Sequence, residues 1–280
     1  MRRDGVRLDD VRGFVFDVDG TLVRRFPDGV HPLPGAVQVL EAIRASGRPL
    51  AIFSNGSHMP PEELARRLRD DGLPVADEEM VTPVRSALSY LRRRHAGAPV
   101  LLFAQPSVAD RFAREGVDVI VPGDGDRDPD ARPPGAVLVL HIDDTRIPDL
   151  EQAARAVTAG AKLLTANYLP AYAGANGPIF SRGAMVTAAI AKAADVRPTV
   201  VGKPSRAAVQ EVSTRLGVPS ADLLVTGDDV RMDIGLGLLG GARTVLVRTG
   251  ITGNMDLTRL PERRRPHAVI DSVEELLGWL

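Results

Sequence analysis

The chain of 280 residues is long enough to bury a large core in one or two domains. Its 35 Lys and Arg against 36 Asp and Glu leave a formal net charge of −1, so no global basic field exists to draw in a nucleic acid polymer. With no cysteine, disulfides, thiolate zinc sites and a cysteine nucleophile are excluded.

In chain order, residues 1–10 are charged and lack an apolar signal segment, and no later apolar run reaches membrane-spanning length. The expectation is a soluble, cytoplasmic protein with no membrane partner. A strand is predicted over 13–17, a helix over 35–46, a strand over 49–54 and a helix over 60–71, with Pro60 and Pro61 suited to a first turn. The middle has its own rhythm: helix 82–95, strands 100–103, 117–121 and 136–141, helix 148–159 and strand 162–165. Residues 122–134, rich in Pro, Gly and Asp, read as a mobile surface loop. Strands follow at 199–201, 223–226 and 244–247, and helices at 205–216 and 232–240. Ser272 and Glu275 read as a capping box for a last helix. Strands alternating with helices predict an α/β protein with a parallel sheet.

Four polar motifs each follow one of these strand-like runs. Phe14-Val15-Phe16 reads as a strand buried on both faces and ends in Asp17-Val18-Asp19-Gly20-Thr21-Leu22. Carboxylates at a strand's carboxyl end stand where open α/β sheets place their active sites. One can attack phosphorus while the other handles protons. The alternative is a calcium loop, which needs a preceding helix and a glutamate near its end. Here a strand-like run precedes, and Leu22, Val23, Arg24 and Arg25 follow.

The second motif is Ser54-Asn55-Gly56-Ser57-His58. Its hydroxyls and backbone N–H groups suit phosphate, although Asn-Gly is also a routine turn. The third is Gly202-Lys203-Pro204. Lys203, one of only three lysines, ends a buried run, where an ammonium must be paired or face a polar cleft. The fourth runs from Gly227 through Asp228 and Asp229 to Asp233. Its acids suit an oxygen-ligated Mg²⁺, while Asp229 equally suits a helix amino terminus.

Together the motifs resemble those of the haloacid dehalogenase superfamily over nearly the whole chain: Asp17-x-Asp19-Gly-Thr21, Ser54-Asn55, Lys203, and Gly-Asp228 through Asp233. The 37 residues from Asp17 to Ser54 leave no room for a helical cap at the first insertion point. The 149 from Ser54 to Lys203 accommodate an α/β cap at the second. That layout resembles the NagD-type, p-nitrophenylphosphatase-like branch. So do Leu33-Pro34-Gly35-Ala36, Pro61-Glu62-Glu63-Leu64 and Val201-Gly202-Lys203-Pro204-Ser205. The implied fold is a Rossmann-like, doubly wound parallel-sheet core from residues 1–80 and 178–280, with a smaller α/β cap domain inserted as 81–177.

The resemblance implies hydrolysis of a small phosphorylated metabolite, such as a nucleotide monophosphate, a sugar phosphate or phosphoglycolate. Asp17 is the implied nucleophile, forming an aspartyl-phosphate, and Asp19 the general acid and base. Ser54, Asn55 and Lys203 would hold the phosphoryl oxygens. Mg²⁺ would be held by Asp17, the Asp19 main-chain carbonyl and Asp228, with Asp233 and Thr21 behind them. Substrate choice is implied to lie in a cap loop carrying Asn167, Tyr168 and Tyr172, and Leu169 stands where many relatives carry an acid. Met232 likewise replaces a threonine common in relatives. His141, with Asp143 and Asp144, and His58 are further candidates for substrate contact, each with a structural alternative. Dimerisation through the cap is common in similar proteins, so a homodimer is a further expectation. Two rivals remain: a phosphotransferase using the same aspartyl-phosphate, and a non-catalytic binding module that kept the fold.

Overall fold

The structure, a computed structural model, describes residues 10–26, 29–123, 132–174 and 177–280. They form two compact units. The first comprises the described residues up to Ser54, Pro61–Val81 and Lys203–Leu280; the second comprises Asn55–Pro60 and Thr82–Gly202. The expected loop over 122–134 falls largely outside the described residues, as do residues 1–9.

The first unit begins with β1 (Gly13–Phe16), buried at every position, followed by the antiparallel hairpin β2 (Val23–Phe26) and β3 (Gly29–Pro32). α1 (Ala36–Ala45) buries Ala36, Val39, Leu40 and Ile43, the spacing of one helical face. β4 (Leu50–Phe53) is wholly buried. α2 (Pro61–Asp70) opens on a proline and two glutamates and closes on arginines, an arrangement that complements the helix dipole. β5 (Met80–Val81) completes this stretch.

In the second unit the elements are α3 (Pro83–Arg94), β6 (Val100–Phe103), α4 (Pro106–Arg114), β7 (Val119–Ile120), β8 (Ala136–Val139), α5 (Ile147–Thr158) and β9 (Lys162–Thr165). The hairpin β10 (Ala171–Gly174) and β11 (Gly177–Phe180), α6 (Arg182–Ala193) and β12 (Thr199–Val200) follow. The chain then returns to the first unit through α7 (Arg206–Leu216), β13 (Leu223–Gly227), α8 (Gly235–Gly240), β14 (Arg243–Val247) and β15 (Ala268–Ile270).

Each unit is built on a parallel sheet. The first has the order β15-β14-β13-β1-β4-β5, the second β12-β9-β8-β6-β7. In the first, Val15, Ala51, Phe53 and Val225 pack under Ala208 and Val212 of α7 and Leu236 of α8. Alternation turns Phe14 and Phe16 to the opposite face, where their rings stack at 6.3 Å. Each fully buried Phe or Leu contributes roughly 1.5–3 kcal/mol. β1 lies at the centre, with β4 and β13 on either side, so the chain leaves it in opposite directions. Such a switch point opens a crevice at the strands' carboxyl ends.

The division into compact units returns to the first unit at Lys203, and Val186, Ile190 and Ala191 of α6 join the second unit's core. Three expectations for single elements are corrected. The run at 199–201 likewise belongs to the second sheet, with Thr199 opposite Leu164 of β9. The last helix is a 3₁₀ segment over Val273–Gly278 without the expected box: Ser272 makes no side-chain cap bond, and Glu275 accepts instead from Asp271 N–H. The predicted helix 232–240 divides into a π-helical turn (Val230–Ile234) and α8.

Candidate active site

The site grows from the carboxyl end of β1. Asp17 N–H still donates to Thr226 O of β13 at 2.9 Å, but beyond it the chain coils. Val18 O accepts from the N–H groups of Thr21, Leu22 and Val23, and buried Val18 and Leu22 anchor the coil. Gly20 adopts φ +83°, and a Cβ there would stand 2.6 Å from an Asp228 carboxylate oxygen and 3.0 Å from Gly250 Cα. Only glycine supplies both that conformation and that clearance. A Cβ on Gly250 would overlap the same carboxylate.

Lys203 sits at the centre, with 3% of its surface exposed. Its Nζ donates to Asp17 Oδ1 at 2.6 Å, to Asp233 Oδ1 at 2.7 Å and to Phe53 O, at the end of β4, at 2.6 Å. Three ammonium protons thus meet three acceptors in fixed positions. Thr21 Oγ1 donates to Asp17 Oδ2 at 3.3 Å. Asp233 Oδ2 accepts from Asp229 N–H at 3.0 Å. Asp228 Oδ2 accepts from Ile251 N–H at 2.6 Å, and its carbonyl receives the Thr252 hydroxyl.

The electrostatics are those of a crowded, buried acid cluster. Burial first, then the charge of Asp233, pushes Asp17 well above the usual carboxylate range, against the pull of Lys203. Burial and Asp233 raise Asp228 to about 7. Asp233 is also raised, by burial. Burial alone would lower Lys203, but Asp17 and Asp233 outweigh it and keep the ammonium charged.

The same three acids each offer an oxygen within 4.8 Å of the others. When all are ionised, one ammonium leaves two negative charges uncompensated, a deficit that a divalent cation removes. Hard carboxylate donors suit Mg²⁺ or Ca²⁺. Both oxygens of Asp17 accept hydrogen bonds, from Lys203 and Thr21, as do both of Asp233, from Lys203 and Asp229 N–H. Asp229 is committed as a cap, accepting from Arg231 N–H at 2.6 Å and Met232 N–H at 3.2 Å.

The structure therefore brings together Asp17, Thr21, Lys203, Asp228 and Asp233. Ser54 follows β4, with its N–H on Val81 O at 3.1 Å and its side chain buried. The Asp19 carboxylate lies apart from the acid cluster, held by Arg25 at 2.7 Å. Asn55, Ser57 and His58 group with the second unit, where His141 N–H donates to Ser57 Oγ at 3.0 Å and His141 meets the His58 ring edge-on. His141 Nε2 lies 3.2 Å from Asp143, whose carboxylate also accepts from Gln105 and Arg182. In the same unit Thr165 Oγ1 holds Asn167 O at 2.9 Å, and Tyr168 is exposed. Tyr172 lies in β10 opposite Ile179, and its side chain is outside the described residues.

Sequence reasoning missed the Asp228 support at Gly250, Ile251 and Thr252. The signal was there, in Thr249-Gly250-Ile251-Thr252-Gly253 directly after a strand-like run. It also missed Phe53 O, which no side-chain pattern announces.

The family model for haloacid dehalogenase-like hydrolases matches residues 14–118, and a HAD-hydrolase-like model matches residues 200–276. The D-glycerol 3-phosphate phosphatase of Mycobacterium tuberculosis is 32% identical over 90% of this chain and 67% of its own length. The ribonucleotide monophosphatase NagD of Escherichia coli is 27% identical over 95% and 98%. Among solved structures, 4-nitrophenylphosphatase of Thermotoga maritima superposes with a TM-score of 0.82 at 25% identity, covering 97% of this chain and 98% of that one. A glycerol phosphate phosphatase from Mycobacterium tuberculosis, solved in complex with calcium, gives 0.78 at 29% identity, covering 96% and 73%. The chain belongs to the haloacid dehalogenase-like hydrolases and, within them, is a phosphomonoester hydrolase of the NagD type.

Proposed function

We propose that the protein hydrolyses a small phosphomonoester in two steps through an aspartyl-phosphate on Asp17. The observation that carries this reading is the buried Lys203 ammonium bridging Asp17 and Asp233 at 2.6 and 2.7 Å. A nucleophilic carboxylate fixed beside a cation receives a phosphate dianion with less repulsion. In the first step an Asp17 oxygen attacks phosphorus, and the bond to the ester oxygen breaks as Asp19 gives that oxygen a proton. In the second, Asp19 takes a proton from water. The water oxygen bonds to phosphorus, the bond to Asp17 breaks, and inorganic phosphate leaves. Lys203, the Ser54 hydroxyl and Asn55 N–H, adjacent in the second motif, hold the phosphoryl oxygens; Asp233 and Thr21 hold Lys203 and Asp17.

Asp17, Asp228 and the Asp19 main-chain carbonyl would hold Mg²⁺, whose charge, when bound, offsets carboxylate–phosphate repulsion and stabilises the transition state. The acid cluster and the calcium in a solved relative support this assignment. Relatives are named for glycerol phosphate and ribonucleotides, so the substrate class is a small alkyl phosphate of that kind. Its selection is assigned to Asn167, Tyr168 and Tyr172. The test is phosphate release across glycerol, sugar and nucleoside phosphates, with Mg²⁺ or with chelator. Release that persists in chelator, or in Asp17→Asn, refutes the mechanism. Replacing Tyr168 and Tyr172 with Ala should reorder the substrate ranking, and an unchanged ranking rejects their role.

A homodimer formed through the second unit completes the proposal, supported by the exposed apolar side chains Ile179, Phe180 and Met185. Sedimentation at micromolar concentration should give twice the chain mass; a lone 29.9 kDa species rejects it.

A further inference from the structure

Arg25 takes no part in the chemistry above, yet it is the side chain that holds Asp19. The hairpin leaves the catalytic coil directly. Gly20 N–H donates to Val23 O at 2.7 Å, and Asp19 forms a backbone bridge with Val23. Arg24 Nη2 donates to Thr249 O at 2.7 Å, and Thr249 Oγ1 donates to Gly20 O at 2.6 Å. β2 is thereby tied to the coil on both sides, and Arg25, paired with Val30 across the hairpin, meets Asp19 in a set register.

The grip is asymmetric. Arg25 Nε donates to Asp19 Oδ1 at 2.7 Å, while Nη2 stands 3.4 Å from Oδ2. The first is a full hydrogen bond and the second lies at the outer limit of one. One oxygen is pinned, and with it the plane of the carboxyl group. The other keeps a lone pair for a proton. Both partners are about half exposed, 59% for Arg25 and 47% for Asp19, and such pairs add little to stability.

We propose that Arg25 is a positioning residue that fixes Asp19 through Oδ1, so that Oδ2 carries the proton to the leaving oxygen. The inference rests on the acid–base assignment of Asp19. It makes a demand that a merely structural ion pair would not. An alkoxide needs a proton as the phosphorus–oxygen bond breaks, whereas p-nitrophenolate leaves without one. Loss of positioning must therefore slow the first step on alkyl esters and spare it on the nitrophenyl ester, whereas the water step is common to both. The ratio kcat/KM, which reports only through release of the leaving group, separates the two.

The experiment compares kcat/KM for glycerol 3-phosphate and p-nitrophenyl phosphate in wild type, Arg25→Gln, Arg25→Lys, Asp19→Asn and the Asp19→Asn/Arg25→Gln double variant. Arg25→Gln should lower kcat/KM on glycerol 3-phosphate by about tenfold or more and on the nitrophenyl ester by less than about twofold. Arg25→Lys, which keeps the charge but not the fork, should fall between. The double variant should have a kcat/KM on glycerol 3-phosphate no lower than that of Asp19→Asn, because the two residues act as one unit. Equal losses of kcat/KM on both esters in Arg25→Gln, or multiplied losses in the double variant, would overturn the proposal while the role of Asp19 stands. Equal losses of kcat/KM on both esters in Asp19→Asn would remove the acid–base assignment and this inference with it.

Discussion

Two parallel sheets in one chain treat the ends of their strands in opposite ways. In the first, Lys203, Asp228 and Asp233 are buried at 3%, 6% and 2% exposure. In the second, the polar residues past the strand ends stay near water: the Asp143 and Arg182 side chains are 59% and 58% exposed, and Gln105 joins them at 2.6 Å. Exposed pairs of this kind form at almost no cost and add almost nothing. Buried charges are expensive, and removing one partner leaves the others uncompensated. Burial thus separates the acid–lysine cluster of the first unit from the surface charges of the second, while Asp19 and Arg25, about half exposed, draw their proposed role from geometry instead.

The largest expected effect that would break this contrast is on turnover. Asp17→Asn should lower kcat by roughly 10⁴ or more, measured as phosphate release from p-nitrophenyl phosphate. The same variant should melt higher than wild type in chelator, because it removes an acid whose ionisation burial and Asp233 oppose. A lower melting temperature would show that Asp17 is structural. Next in size is Lys203→Met, which strands Asp17 and Asp233 and should cost about 3–5 kcal/mol in denaturant unfolding. Arg182→Met, at the surface of the second unit, should leave the unfolding curve unchanged. Similar shifts in the two variants would erase the distinction between the sheets.

Much of this was legible in the sequence because the first sheet is written in continuous apolar runs that stop at acids. Phe14-Val15-Phe16 before Asp17 and Leu223-Leu224-Val225 before Asp228 announce both strand and site. The hidden parts lack such contrast. β5, β7 and β12 have two residues each, too short for a period, and are strands only through their neighbours. α6 is rich in Ala, and its burial against α5 is a tertiary fact. The hairpin β2–β3 reads as polar, with Arg24, Arg25 and His31 in its strands, and its register comes from the coil it leaves. Periodicity registers burial patterns and is blind to carbonyls such as Phe53 O and to backbone donors such as Ile251 N–H.

The smallest effects sharpen the comparison through two buried carboxylates that titrate in opposite directions. Asp228 is raised to about 7, so its contribution to stability is present below the ordinary carboxylate range, near pH 4, and is lost as pH rises towards 7. In chelator the wild type should lose melting temperature over that window, and Asp228→Asn should lose less. Asp149, on the second unit, behaves oppositely. Burial would raise it, but hydrogen bonds from the Arg146 side chain and from Arg146 N–H at 2.9 Å hold it below its ordinary value. Its stabilisation is present above about pH 4 and is lost as pH falls through the lowered value. The bond to Arg146 N–H caps the amino end of α5, so Asp149→Asn should cost about 1 kcal/mol at neutral pH and progressively less as pH falls through the lowered value. A cost that does not shrink with falling pH would assign the residue's role to shape, not to charge.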